Sequence, residues 1–396
     1  MAKKILLFSP PFSGHLNVLK NIIWKYQEDF DFHLVITGWK NIQPDLNDIT
    51  IPVTILARTN LSETDPAIWT LPRVVELMED CLKVAREYKP DLIIYDFFSL
   101  EGNLVGKNLK IPYWASIPAL IGPFTHQDYL NTKLGLQINL SAIKELQTKF
   151  SSTFNPKQIE MISDGLHMPG QKNLIWSYPV LTPHDFMTYR QPNSYIFVGY
   201  PASLNTGITE HQTTTKPLVY FSFGTVVMDN LWNQQVEIQD GLKTFVDHLA
   251  NLSKNQEYDV IFVSRAKQIL ANYPSNWHVI DYADQIIALS QASIFITHAG
   301  ANSFHEAVLK KVPMIAIPFF GDQPLVASQI EKIGLGKNLV PDDCIDTKKS
   351  KEFLSKSLAE KTHTTIKTML SNLDTYKNNF NQLKLESKNI IDLLLK

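Results

Sequence analysis

Short apolar runs alternate with longer amphipathic stretches along most of the chain, and the alternation happens twice. In the first half, Ile5–Phe8, Phe32–Thr37, Val53–Ala57, Leu92–Tyr95 and Tyr113–Ser116 have the length and apolar character of strands covered on both faces. Helix-like stretches lie between them, such as Asn17–Glu28 and Arg73–Tyr88. The pattern changes near Ile121, and residues 121–170 are mixed, aromatic in places and poor in strand runs. This region is expected to be a helical insertion that walls a pocket. Residues 201–217 are polar, with Gly, Pro and few apolar positions, and are expected to form an interdomain linker.

The alternation then restarts. Leu218–Phe223, Val260–Ser264, His278–Tyr282, Ser293–Thr297 and Met314–Pro318 are the second set of strand candidates, with helices expected at Leu231–Leu249, Asn302–Lys310 and Pro324–Ile333. A charged, helix-like tail runs from Lys348. Strands alternating with helices predict an α/β chain with two parallel sheets.

Composition narrows the function classes. With 396 residues, 44% hydrophobic and 19% charged, the chain can bury two cores. A net charge of -2 leaves no basic excess for a phosphate backbone, so a nucleic-acid partner is not expected. Lys348, Lys349 and Lys351 are diluted by acids and read as a solvated helix face. Two cysteines, Cys81 and Cys344, make neither a disulfide framework nor a zinc set and suit a reducing compartment. The apolar run at Ile5 is too short for a signal-peptide core, and no span of about 20 apolar residues predicts a transmembrane helix. The expectation is a soluble, cytoplasmic protein.

The chemistry concentrates at two strand ends. After the strand that closes at Thr297 come His298, Ala299, Gly300, Ala301, Asn302 and Ser303, with Glu306 one turn on. Small residues let backbone N–H groups approach a ligand, and the start of a helix favours an anion. Read alone, Asn302 or Ser303 could simply cap the helix, and His298 could be a core histidine. The neighbours change the picture. Gln285 lies upstream, Asp322 and Gln323 follow the next strand, and Ser222, Gly224 and Thr225 follow the first strand after the linker.

This order strongly resembles the nucleotide-sugar signature of the family 1 glycosyltransferases, closest in style to the bacterial macrolide-type UDP-glycosyltransferases. The resemblance implies the GT-B fold, two Rossmann-like domains facing a cleft. It places an acceptor-binding domain at 1–200 and a donor-binding domain at 218–375, with a C-terminal helix at 376–396 packing back on the first domain. It implies that Gln285 lies at the nucleoside, that His298 contacts the diphosphate, and that Gly300, Asn302 and Ser303 hold it. Glu306 would bind the ribose hydroxyls, and Asp322 and Gln323 the sugar hydroxyls. Ser222, Gly224 and Thr225 would also approach the phosphates. Val326 stands where many relatives carry Asn, and Phe304 and His305 replace small or aliphatic residues. His305 reads as a surface or packing residue.

On the other half, Gly14, His15 and Asn17 resemble the family's catalytic-histidine motif, with Val18 in place of a frequent Pro. Gly14 is expected to make a sharp turn that sets His15 at the sheet's carboxyl edge. An acceptor hydroxyl needs a base, and imidazole needs an orienting carboxylate. Asp96 closes the Leu92 strand at that edge, whereas Asp91 begins it at the opposite one. The resemblance thus implies a single inverting displacement with His15 as base and Asp96 as its partner. The co-substrate is a UDP- or dTDP-sugar, UDP-glucose being the expectation, and no other cofactor or metal is implied. Asp29 and Asp31 form an Asp-x-Asp pair before a strand and read as surface residues. The acceptor is expected to be a small apolar molecule against Phe12, Trp114, Phe124 and the insertion.

Three rival functions are open to a chain of this fold class. A dinucleotide oxidoreductase lacks its Gly-x-Gly-x-x-Gly, of which Gly334-Leu-Gly336 is only a fragment. A GT-B epimerase or lipid-linked sugar transferase would carry another signature. An inactive GT-B scaffold that binds nucleotide sugars is the remaining alternative, against which the retained His15 and Asp96 count.

Overall fold

The computed structural model describes residues 2–57, 66–119, 127–162, 165–183, 194–201, 216–340 and 353–395. The chain divides into two compact units, residues 1–204 with 385–396, and residues 205–384.

The first unit is built on a seven-stranded sheet in the order β3-β2-β1-β4-β5-β8-β9. Its strands are β1 (Lys3–Ser9), β2 (Phe30–Gly38), β3 (Val53–Ala57), β4 (Leu92–Asp96), β5 (Tyr113–Ile117), β8 (Lys172–Ile175) and β9 (Tyr195–Phe197). All pair in parallel. Ile5, Leu6, Leu7 and Phe8 have no exposed surface, as a strand covered on both faces requires. The helix Pro66–Tyr88 continues through Pro72 and turns Leu71, Val74, Leu77, Met78, Cys81, Leu82 and Ala85 inward. That spacing of three and four is the helical apolar stripe.

The second unit has a six-stranded parallel sheet in the order β12-β11-β10-β13-β14-β15. Its strands are β10 (Leu218–Ser222), β11 (Asp259–Val263), β12 (Trp277–Ile280), β13 (Ile294–Thr297), β14 (Met314–Ala316) and β15 (Gly336–Asn338). The helix Val236–Ser253 lays Ile238, Leu242, Phe245, Val246 and Leu249 on the core. Among the core aromatics, the ring of Phe221 lies 4.8 Å from that of Phe223 and 4.5 Å from that of Phe262.

Several expectations need correction. The region 121–170 is only partly helical. Helices Gln127–Leu134 and Gln137–Lys149 are followed by an antiparallel hairpin, β6 (Glu160–Ile162) with β7 (Gly165–His167). Strands β8, β9 and β15 fall outside the expected set, because each is only three or four residues long and β8 and β15 also carry polar side chains. The expected C-terminal helix over 376–396 is broken. A helix Leu373–Gln382 ends in the second unit, and a short helix Ile390–Leu394 belongs to the first. There Lys388 donates its N–H to Phe197 O at 2.9 Å, and Lys3 Nζ donates to Leu394 O at 2.8 Å. Most of the linker, Cys344, Phe124 and Lys348 to Lys351 lie outside the described residues. No helix among the described residues is long and apolar enough to cross a membrane.

Phe221→Ala is expected to cost the second unit about 3–5 kcal/mol, the range for removing a buried aromatic ring. Urea unfolding followed by tryptophan fluorescence checks this, since Trp277 packs edge-on to Phe221 at 6.4 Å.

Candidate active site

In each sheet the strand order reverses at the first strand, between β1 and β4 and between β10 and β13. Carboxyl ends at such switch points are where open parallel sheets bind ligands. His15 and Asp96 stand at the first of these places and Ser222, Gly224, Thr225, His298, Gly300, Asn302 and Ser303 at the second, with Gln285, Asp322 and Gln323 on neighbouring connections of the same sheet.

In the first unit β1 ends at Ser9, Pro10 and Pro11 turn the chain, and the helix Ser13–Tyr26 begins. His15 sits in its first turn, and Asp96 is the last residue of β4. His15 Nδ1 is 3.0 Å from Asp96 Oδ1 and 3.0 Å from Oδ2. The carboxylate is fully buried, while the imidazole keeps 18% of its surface exposed. Phe98 donates its backbone N–H to Asp96 Oδ1 at 2.9 Å. An Nδ1–H given to the carboxylate puts the basic lone pair on Nε2, the arrangement of a base with its orienter. The ring of Phe98 stacks on that of His15 at 4.6 Å, and Phe97 follows at 5.3 Å. Phe12 lies 6.2 Å from His15 and 5.7 Å from Trp39, so the histidine is walled by aromatic rings.

In the second unit β13 ends at Thr297, whose Oγ1 accepts the N–H of Ala299 at 3.1 Å. Gly300 precedes the helix Ala301–Lys310, and no side chain caps its start. The first-turn N–H groups and the helix dipole therefore favour an anion there. His298 lies in a slot between two glycines. A Cβ added to Gly224 would come 2.6 Å from His298 Cε1, and one added to Gly300 would come 2.5 Å from Nε2. Gly224 also has φ +71, a conformation glycine favours. His298 Nδ1 is buried and makes no hydrogen bond among the described residues. The ring retains some surface, yet burial pulls its pKa down to about 4, so it is neutral at pH 7.

Beside this slot Gln285 Nε2 donates to Ser303 Oγ at 3.0 Å and to Glu306 Oε2 at 2.6 Å. Tyr220 OH reaches Gln285 Oε1 at 3.5 Å. Asp322 and Gln323 follow β14, one strand further along the same edge, at the start of the helix Gln323–Lys332. Gln323 Oε1 accepts the N–H groups of Phe319 at 2.9 Å and Phe320 at 3.3 Å. Its oxygen is thus committed to the loop, and its amide nitrogen is the group left to address a ligand.

The family model described as UDP-glucoronosyl and UDP-glucosyl transferase matches residues 171–383, more than half of the chain. The chain belongs to this glycosyltransferase family. It is 25% identical to NDP-glycosyltransferase YjiC of Bacillus subtilis over 72% of this chain and 69% of that one. It is 23% identical to the Bacillus licheniformis protein of the same name over 86% of each. Its fold matches the crystal structure of the glycotransferase of kitacinnamycin with a TM-score of 0.70 at 15% identity, over 100% of this chain and 99% of that one. The architecture is the GT-B one, with two Rossmann-like parallel sheets. As a glycosyltransferase, the chain is an enzyme.

Against that family background, some readings of single residues change. Gly14 does not make the turn. It lies inside the helix, and a Cβ there would meet nothing within 4 Å among the described residues. Trp114 is not brought to His15. It pairs with Ile94, two positions before Asp96, and Lys172 Nζ covers its ring at 4.1 Å. Neither Asn302 nor Ser303 caps the donor-side helix, since Gly300 precedes it. His305 is buried at 1% exposure and donates Nδ1–H to Ala301 O at 2.6 Å, which is packing and not surface. Asp31 lies within β2 and accepts the hydroxyl of Tyr88. Phe97 and Phe98 beside His15, and Trp39 behind Phe12, are further parts of this wall that the sequence reading does not name. The Asp96-Phe97-Phe98 string was the available signal, whereas nothing in sequence linked Trp39 to it.

His305, like His298, has its pKa pulled down to about 4 by burial. An unfolded histidine titrates near ~6.5, so unfolding takes up protons below that pH. Stability is therefore full above about pH 6.5 and falls as the pH drops toward 4, by roughly 3 kcal/mol for His305 and less for the part-exposed His298. Urea midpoints from pH 7 to 4.5 should show this decline, and His305→Leu should flatten it.

Proposed function

We propose that the chain transfers glucose from UDP-glucose, with inversion, to a hydroxyl of a small and largely apolar acceptor in the cytoplasm. The observation that carries the proposal is the His15 Nδ1 contact at 3.0 Å to both oxygens of a buried carboxylate. His15 takes the acceptor proton at Nε2, and Asp96 stabilises the imidazolium that forms. The acceptor oxygen attacks the anomeric carbon as the bond to the diphosphate breaks. A single displacement converts the α-linked donor sugar into a β-glucoside. The aromatic walls of Phe12, Phe97 and Phe98 support an apolar acceptor.

On the donor side, the uncapped helix at Ala301 and the neutral N–H of His298 meet the negative charge that grows on the leaving diphosphate. Glu306 and Gln285, joined at 2.6 Å, offer acceptors and donors to the nucleoside. Asp322 and the amide nitrogen of Gln323 address the sugar hydroxyls. Tyr282, 74% exposed three positions before Gln285, offers a face on which a uracil ring can stack. The family name and the support for a uridine donor agree, and the YjiC relatives carry the broader NDP designation.

His15→Ala and Asp96→Asn should each lower the transfer rate by about 10²–10⁴, the range for a lost general base, while leaving UDP affinity within about twofold. Calorimetric titration with UDP and rates with UDP-glucose and a flavonoid or phenolic acceptor panel separate the two effects. His298→Ala should instead weaken UDP binding. Proton NMR of the product reads the anomeric configuration, and an α-glucoside would refute the single displacement.

A further inference from the structure

The proposed chemistry leaves one buried charge pair without a role. Arg73 is 3% exposed and Glu101 is fully buried. Arg73 Nε donates to Glu101 Oε1 at 2.8 Å and Nη2 to Oε2 at 3.2 Å. The same Nη2 donates to the carbonyl oxygen of Phe98. The guanidinium lies 4.9 Å from the centre of the Trp39 ring. Thr37 Oγ1 donates to Ser99 Oγ at 3.0 Å and reaches Glu101 Oε2 at 3.5 Å. The end of β2, the helix Pro66–Tyr88 and the start of the helix Leu100–Leu109 are tied together here.

Stability alone does not call for such a pair, because a well-packed apolar pair of similar volume is often as stable. What the pair does is hold one peptide. Phe98 offers its carbonyl to Arg73, gives its N–H to Asp96 Oδ1, and stacks its ring on His15. The ring has little room to shift elsewhere. A Cβ added to Gly165 of the β6–β7 hairpin would fall 1.5 Å from Phe98 Cε1. Arg73 is planar and forked, so it spans Glu101 and the Phe98 carbonyl at once, which a lysine cannot do.

We propose that Arg73, locked by Glu101, is a positioning residue that sets the His15–Asp96 pair through Phe98. The inference rests on the reading of His15 as the base. Release of the Phe98 carbonyl frees the 97–99 turn, Asp96 loses a fixed N–H donor, and the imidazole loses its stacking partner. The carboxylate and the base then sample several geometries in place of one.

The test uses the full chain with histidine labelled in its ring nitrogens. In the parent protein, the His15 Nδ1–H proton should appear far downfield, and His15→Gln identifies it by its loss. In Arg73→Met/Glu101→Met, which orphans no charge, that signal should broaden or move, with UDP affinity kept within about twofold. At about pH 8.5, where 4-nitrophenol is largely ionised and benzyl alcohol is not, transfer to benzyl alcohol should fall about tenfold and transfer to 4-nitrophenol by less than about threefold. Gly165→Ala, which presses on Phe98 without touching the ion pair, should give the same split. An unchanged proton signal and equal loss for both acceptors would overturn the proposal and leave the pair a purely structural one. Full transfer activity in His15→Gln would instead refute the base, a separate failure that the same experiment exposes.

Discussion

A parallel strand buried on both faces has no place for a polar side chain until it ends, and both halves of this chain use that constraint in the same way. At three strand ends beside the switch points, an oxygen-bearing side chain accepts the N–H of the residue two positions on. Asp96 takes Phe98 at 2.9 Å, Thr297 takes Ala299 at 3.1 Å, and Ser222 takes Gly224 at 3.3 Å. Each bond satisfies a donor that is buried or half-buried and turns the chain off the sheet within two residues. In the second unit, the turns so formed carry His298 and the two glycines around it. In the first, the turn carries the Phe97–Phe98 pair that walls His15. The residues of the proposed chemistry therefore stand where the sheets must stop.

The strands that form these ends were legible because they are short, apolar and evenly spaced. Asp96 could be chosen over Asp91 because one closes the strand and the other opens it. In the structure, Asp91 indeed bonds the backbone N–H of Lys4 at the opposite edge, at 2.8 Å. The donor-side set was legible as an order of residue types, though not as contacts. That Gln285, Ser303 and Glu306 touch depends on how the Gln285–Gln291 and Ala301–Lys310 helices pack, which no local pattern encodes. The same holds for Arg73 and Glu101. Each lies in a helix where a charge ordinarily faces water, and only the packed structure brings them together. Trp114 failed for the opposite reason. An aromatic residue in a buried strand looks the same whether it lines a pocket or fills the core.

The glycines divide similarly. Gly14 belongs to a motif, yet its backbone is ordinary helix and, among the described residues, no neighbour fills the space a Cβ would take. Gly224 is constrained twice over, by its φ of +71 and by the imidazole that fills the space a side chain would take, whereas Gly300, with φ -65, is constrained by the imidazole alone. Motif glycines thus have different physical reasons, and only the fold separates one that stands clear of its neighbours from one that admits a neighbouring side chain.

The two histidines at the strand ends show how surroundings divide labour under the proposed mechanism. His15 faces a buried carboxylate on one nitrogen and aromatic rings around it, so a positive charge formed on the ring has a counter-ion at 3.0 Å. His298 has glycine backbone on both sides, and only burial acts on its pKa. A proton acceptor needs the first environment, since its charged form must be stabilised when the hydroxyl ionises. A hydrogen-bond donor to a diphosphate works better in the second, because a neutral ring does not have to shed a proton or a counter-ion between turnovers. Exchanging the two environments would leave the base without its carboxylate and would set a carboxylate against the phosphates. The assignment of proton transfer to one unit and charge stabilisation to the other therefore follows from what each histidine is packed against.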